Sequence, residues 1–114
     1  MVTAEQARQL ALALPATVEQ DHHGRPSFRV AGRVIATLWT EGALNVMAGE
    51  ERIRAATGDL PSVCSAVFWG KRLAAVQVDL ARADAALVED LLDHAWRATA
   101  PARLQRETRE PPLR

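Results

Sequence analysis

The chain predicts an α+β domain, with helices packed on one face of an antiparallel sheet of about five strands. Three observations lead there. Apolar residues recur at helical spacing near both ends, and the middle alternates with a period of two between glycine turns. A length of 114 residues leaves room for a single core.

Thr3 and Gln6 form a capping box, and Ala7, Leu10, Ala11 and Leu14 share one face, so a helix is predicted over residues 4–14 with Pro15 as its stop. Strands follow over 26–30 and 33–39 around Gly32, with a third over 44–48 after Gly42. Glu50, Glu51, Arg52, Ile53 and Ala56 predict a short helix ending at Gly58, its acids near the positive N-terminal end. Leu60 and Pro61 break it. Residues 63–68 and 73–80 read as two more strands, with Trp69, Gly70, Lys71 and Arg72 turning between them. Asp84 caps a last helix whose Leu87, Val88, Leu91, Leu92, Ala95 and Trp96 form a broad apolar stripe that the sheet must cover; Pro101 ends it. The predicted order is α-β-β-β-α-β-β-α. One domain is expected over 1–104, and 105–114, rich in charge and proline, is expected to be a flexible tail.

Hydrophobic residues make up 48% and charged residues 25%, a globular composition, and formal net charge is zero. That balance excludes the long-range field of a strongly basic nucleic-acid coat, so anionic partners must be met by local patches. No apolar run is long enough to span a bilayer, and no basic segment leads into one. With the single cysteine, Cys64, this points to the cytoplasm and to no membrane partner.

Several segments carry a family resemblance: LALALP near the start, then GRPSFRVAGRVIATLW, the FWG turn, VDLA, and LLDHAWRATAPARL. Together they resemble the MmcQ/YjbR family over nearly the whole chain. The resemblance implies a compact CyaY-like α+β fold and a DNA-binding role, a label drawn from paired hairpins similar to a double-wing motif. It implies no catalytic set; the matching residues Pro15, Gly32, Trp96 and Pro101 are architectural. Trp69 to Leu73 depart from the pattern, because similar chains often place a second glycine shortly after the first.

The first hairpin, His22 to Trp39, holds Arg25, Arg29 and Arg33 with no acid. A three-residue loop with Gly32 in the left-handed position would pair Arg29 with Arg33 and Phe28 with Val34. Phe28, Val34, Ala36 and Leu38 would then face inward, and Arg25, Ser27, Arg29, Arg33 and Thr37 outward with Ile35 and Trp39. Opposed arginines repel by about 0.2–1 kcal/mol, which a bound anion or a nearby acid such as Glu19 or Asp21 relieves. Lys71 and Arg72 beside Trp69 make a second basic point with an aromatic neighbour. The five cations Arg25, Arg29, Arg33, Lys71 and Arg72 are the candidate contacts to DNA phosphates. An alternative is a small-molecule or protein-binding domain, with an apolar cleft near Trp39 and Trp69 and arginines selecting an anionic group.

Asp21, His22 and His23 do not predict a metal site, since adjacent side chains of an extended segment diverge, and His94 is remote in sequence. The CyaY-like fold is shared with frataxin, but the first helix holds only Glu5 and so offers no acidic ridge for iron. Cys64 lies in an apolar, β-prone run where a thiol stays protonated. Neither cofactor nor enzymatic activity is therefore expected. Assembly is left as monomer or homodimer, with Ser27 to Val30 as an edge strand favoured by Pro26.

Overall fold

The computed structural model describes residues 1–109. It contains helix α1 (Ala4–Leu12), strands β1 (Thr17–His22), β2 (Arg25–Val30), β3 (Arg33–Thr40) and β4 (Ala43–Val46), helix α2 (Glu50–Asp59), strands β5 (Cys64–Trp69) and β6 (Arg72–Asp79), and helices α3 (Ala85–Thr99) and α4 (Ala102–Arg109). The fold is α+β. Its sheet has six strands in the order β1-β2-β3-β4-β6-β5, every neighbouring pair antiparallel.

Two helix starts, those of α1 and α3, follow side-chain caps. Thr3 and Gln6 complete the capping box of α1, and the Asp84 carboxylate accepts from the Leu87 N–H at 2.8 Å to open α3. Helices α1, α2 and α3 all bury their apolar residues against one side of the sheet. Ala7 and Ala11, Ile53 and Ala56, and Val88, Leu91, Leu92, Ala95 and Trp96 join Phe28, Ala36, Leu38, Leu44, Val46, Val76 and Val78 in one cluster. Small residues on α1 let it approach α3 closely, and the Trp96 indole N–H donates to the Pro15 carbonyl at 2.9 Å, tying α3 to the end of α1.

Three expectations are corrected. Strand β1 was not foreseen, because five of its six residues are exposed and its only large apolar side chain, Val18, faces solvent, so no burial pattern marks it. Main-chain pairing makes it, through a tight turn in which His23 and Gly24 both take positive φ (54° and 85°). Consequently β2 is an interior strand, and Pro26, paired with Asp21, does not mark an edge; the edges are β1 and β5.

The β2–β3 register also differs. Ala31 and Gly32 form a two-residue turn with φ of 51° and 80°, so Val30 pairs with Arg33 and Arg29 with Val34. Between those pairs and Phe28 opposite Ala36, β3 holds one extra residue, Ile35. The bulge turns Ile35 into the core and Val34 to the other face, the reverse of the expected alternation. Arg29 and Arg33 are not opposed.

Of the tail expected over 105–114, residues 105–109 belong to helix α4 (Ala102–Arg109). The Gln105 side chain donates to the carbonyls of Arg97 and Ala100, both at 2.9 Å, and so caps the end of α3, while Leu104 packs against the core. The rest of the expected tail, 110–114, lies outside the described residues.

Two substitutions probe the core and the inter-helix tie. Leu91→Ala should lower unfolding free energy by about 2–5 kcal/mol, and Trp96→Phe by at least about 1 kcal/mol, through the lost hydrogen bond and the smaller buried ring. Urea denaturation measures both.

Candidate functional site: the helix-free face of the sheet

With the helices all on one side, the opposite face of the sheet is uncovered, and register decides what it displays. Gln20, Ser27, Thr37, Asn45, Gln77 and Ser65 are cross-strand neighbours in turn, a polar row that crosses all six strands. The neighbouring row on the same face is largely apolar and contains Val18, Arg29, Val34, Ala75 and Val67. An unbroken polar row at a sheet's centre would be costly under a helix, because each group would need an internal partner. Here it forms the floor of a surface.

Part of that floor is a concavity of about 430 Å³ lined by Thr37, Asn45, Gln77, Val34, Val67 and Met47, with His22, Trp39, Trp69 and Arg72 around them. Thr37 is only 5% exposed, yet its hydroxyl has no hydrogen-bond partner among the described residues. The Gln77 amide donates to Asn45 Oδ1 at 2.9 Å, which leaves the Asn45 NH2 and the Gln77 carbonyl unengaged. No fully buried side-chain polar atom goes unpartnered among the described residues, so these free groups open onto the concavity.

The two indoles are half-exposed, Trp39 at 45% and Trp69 at 55%. Trp39 is the extra residue of a second irregularity, between the pairs Leu38–Leu44 and Thr40–Ala43, and its carbonyl accepts from Arg25 Nε at 2.9 Å. That bond holds the Arg25 guanidinium 3.8 Å from the centroid of the Trp39 ring. Trp69 closes the β5–β6 hairpin opposite Arg72, whose guanidinium lies 5.4 Å from the Trp69 ring. Each indole thus carries a cation.

Arg29 lies along the same face: its Nε donates to Ser27 Oγ at 3.2 Å, and its terminal nitrogen is 3.2 Å from His22 Nδ1. Ser27, fully buried, in turn donates to the Gln20 carbonyl at 2.9 Å. The predicted cations therefore divide. Arg25, Arg29 and Arg72 share the open face, whereas Arg33 and Lys71 sit at the ends of the β2–β3 and β5–β6 hairpins. Both β3 and β6 run antiparallel to β4, so these two tips project from the same end of the sheet, with β4 between the hairpins.

None of the five forms an ion pair among the described residues. The acids that could have neutralised them are engaged elsewhere: Glu19 binds Arg8, and the Asp21 carboxylate accepts from the Gly24 N–H at 3.2 Å. Trp39, Trp69 and the three arginines were legible as candidates from residue type. Thr37, Asn45 and Gln77 were missed as site residues; the available signal was a polar side chain recurring at one phase of consecutive strands.

Of the remaining candidates, His22 borders the concavity, and His94 and Cys64 lie away from it. His22 and His23 meet edge-to-face with ring centroids 4.6 Å apart, and among the described residues no three His, Cys, Asp or Glu side chains converge for a metal ion. His94 is on α3, bonded to the Asp90 carbonyl. Cys64 is buried on the helix side, where burial pushes its thiol pKa up, partly offset by the charge of Arg52. No helix of the described residues is long and apolar enough to cross a membrane.

A family model described as YjbR matches residues 12–98, more than half of the chain. The matched span runs from the end of α1 to the end of α3 and includes every residue of the open face named above. No curated protein and no solved structure matches the chain.

Removing the two hydroxyls of the polar floor should have unequal effects. Ser27→Ala breaks two hydrogen bonds and should cost about 1 kcal/mol, whereas Thr37→Val, losing no partner, should stay within about 0.5 kcal/mol of the parent. Denaturant midpoints test this. For Cys64, a folded-state pKa above the unfolded one means that its contribution is complete below about pH 8.5, the unfolded thiol value, and is lost as pH rises beyond it. Stability measured from pH 7 into the alkaline range should decline, and Cys64→Ala should flatten the decline.

Proposed function

This chain belongs to the YjbR family, and from that footing we propose that it is a small non-enzymatic module that binds nucleic acid through the helix-free face of its sheet. One observation carries the reading: Arg25, Arg29 and Arg72 have no carboxylate partner among the described residues and stand on the same face as two half-exposed indoles. Guanidinium groups left unneutralised on a surface favour phosphate, which they meet bidentately. Lys71 and Arg33, at the two hairpin tips, extend the basic surface towards one end of the sheet, the arrangement expected of a double-wing contact.

Zero net charge supports a modest, local electrostatic contribution rather than a wrapped polyanion. It also motivates a second reading, a small anionic ligand seated near Trp39 and Trp69. The concavity of about 430 Å³ favours it, since ligand pockets commonly measure ~300–1,000 Å³.

Salt titration of binding to a labelled oligonucleotide tests the main reading. If three arginines neutralise three phosphates, the logarithm of the binding constant should fall with the logarithm of salt concentration at a slope of about 2–3. Arg25→Ala, Arg29→Ala and Arg72→Ala should each weaken binding and reduce the slope by up to about one. Absence of saturable anisotropy change in ~50 mM salt would remove the reading.

A further inference from the structure

We infer that the face is built for unpaired nucleic acid, with bases stacked on Trp39 and Trp69, base edges met by Thr37, Asn45 and Gln77, and phosphates held by Arg25, Arg29 and Arg72. This rests on the nucleic-acid reading and specifies the form of the strand. The first argument is the placement of the indoles. Trp39 lies towards the end of β3, beyond the polar row, and Trp69 lies at the end of β5, on the far side of that row and across β4 and β6. Along the sheet surface their Cα atoms are on the order of 20 Å apart, at about 3.3 Å per residue and 4.8 Å per strand. Both indoles border the one concavity, and the diagonal between their backbone positions suits an extended chain carrying several rings.

The second argument is the floor between them. A duplex presents its phosphates outward and hides its ring faces and pairing edges in the stack, so the backbone contacts it first. Such a partner would leave the unengaged Thr37 hydroxyl, Asn45 NH2 and Gln77 carbonyl, all recessed in the concavity, without a counterpart. Unpaired bases present donors and acceptors on their edges and free faces for stacking. The Asn45–Gln77 pair leaves one donor and one acceptor unengaged, groups of the kind that a base edge complements.

The third argument is the placement of charge. Arg25 and Arg72 each lie by an indole, so a base stacked there brings its phosphate beside a guanidinium. Arg29, tethered to Ser27 on β2 and His22 on β1, lies on the same face to the side of this diagonal and can meet a flanking phosphate.

The test uses the full chain and four probes of matched label: a short mixed-sequence single strand, its duplex, a phosphodiester strand of equal length with abasic sites throughout, and a nucleoside monophosphate. The single strand should bind at least tenfold tighter than the duplex and the abasic strand, quench tryptophan emission, and outcompete the monophosphate at far lower concentration. Trp39→Ala and Trp69→Ala should each weaken single-strand binding about 5- to 150-fold, the worth of one base–aromatic stack, and Phe at either position should restore most of it. Asn45→Ala should weaken the single strand more than the abasic strand.

Duplex or abasic strand binding as tightly as the single strand overturns this inference and leaves the nucleic-acid reading standing. Monophosphate binding as tight as the strand overturns it in favour of a small-ligand cleft. No saturable binding of any strand removes both the inference and the reading beneath it. The parent protein alone decides among these outcomes, so an unfolded variant cannot leave the matter open.

Discussion

The extra residue in β3 is the constraint on which the rest depends. A slip of one residue in strand pairing exchanges the two faces of a strand, and the Ile35 bulge makes that exchange halfway along the β2–β3 pair. On one side of it, Thr37 and Asn45 point away from the helices; on the other, Val34 does. Without the bulge, either Val34 would replace Ile35 in the core or the polar row would be broken between Ser27 and Thr37. The hairpin's tight Ala31–Gly32 turn sets the register at one end, and packing of Phe28 against the helices sets it in the middle. One strand must carry the surplus residue.

From that constraint follows a division of labour between the two faces. The helix side is dry and aliphatic, held by hydrophobic burial and closed by the bond from Trp96 to Pro15. The open side is a polar row flanked by an apolar one and bounded by two cation-bearing indoles. Bulges aim residues that regular pleating would not. The irregularity at Trp39 frees the carbonyl that seats Arg25, and another, between Val67 and Phe68, precedes Trp69. The same distortions that curve the sheet thus prepare the surface.

Much of the fold was legible because its helices and interior strands bury one face each and therefore leave a period in the residues. The capping residues Thr3 and Asp84 acted as expected, and the stripe from Leu87 to Trp96 is the floor of the core. Strand β1 and helix α4 were illegible for one shared reason: neither has an apolar stripe of its own. β1 exists through backbone pairing to β2, and α4 through Gln105 and Leu104 meeting the end of α3. Among candidate site residues, arginine and tryptophan drew attention by type, whereas Thr37, Asn45 and Gln77 acquire meaning only as cross-strand neighbours.

What residue order determined by itself is the class of the domain, the position of its turns, and a supply of arginines without local acids. What tertiary structure decided is which of those arginines share a face, where Glu19 and Asp21 spend their charge, and that a row of polar side chains becomes one continuous floor. The physical reason is that alternation and helical spacing are local properties of a chain, while register is a relation between strands. A single inserted residue, invisible to either period, moves side chains from one surface to the other.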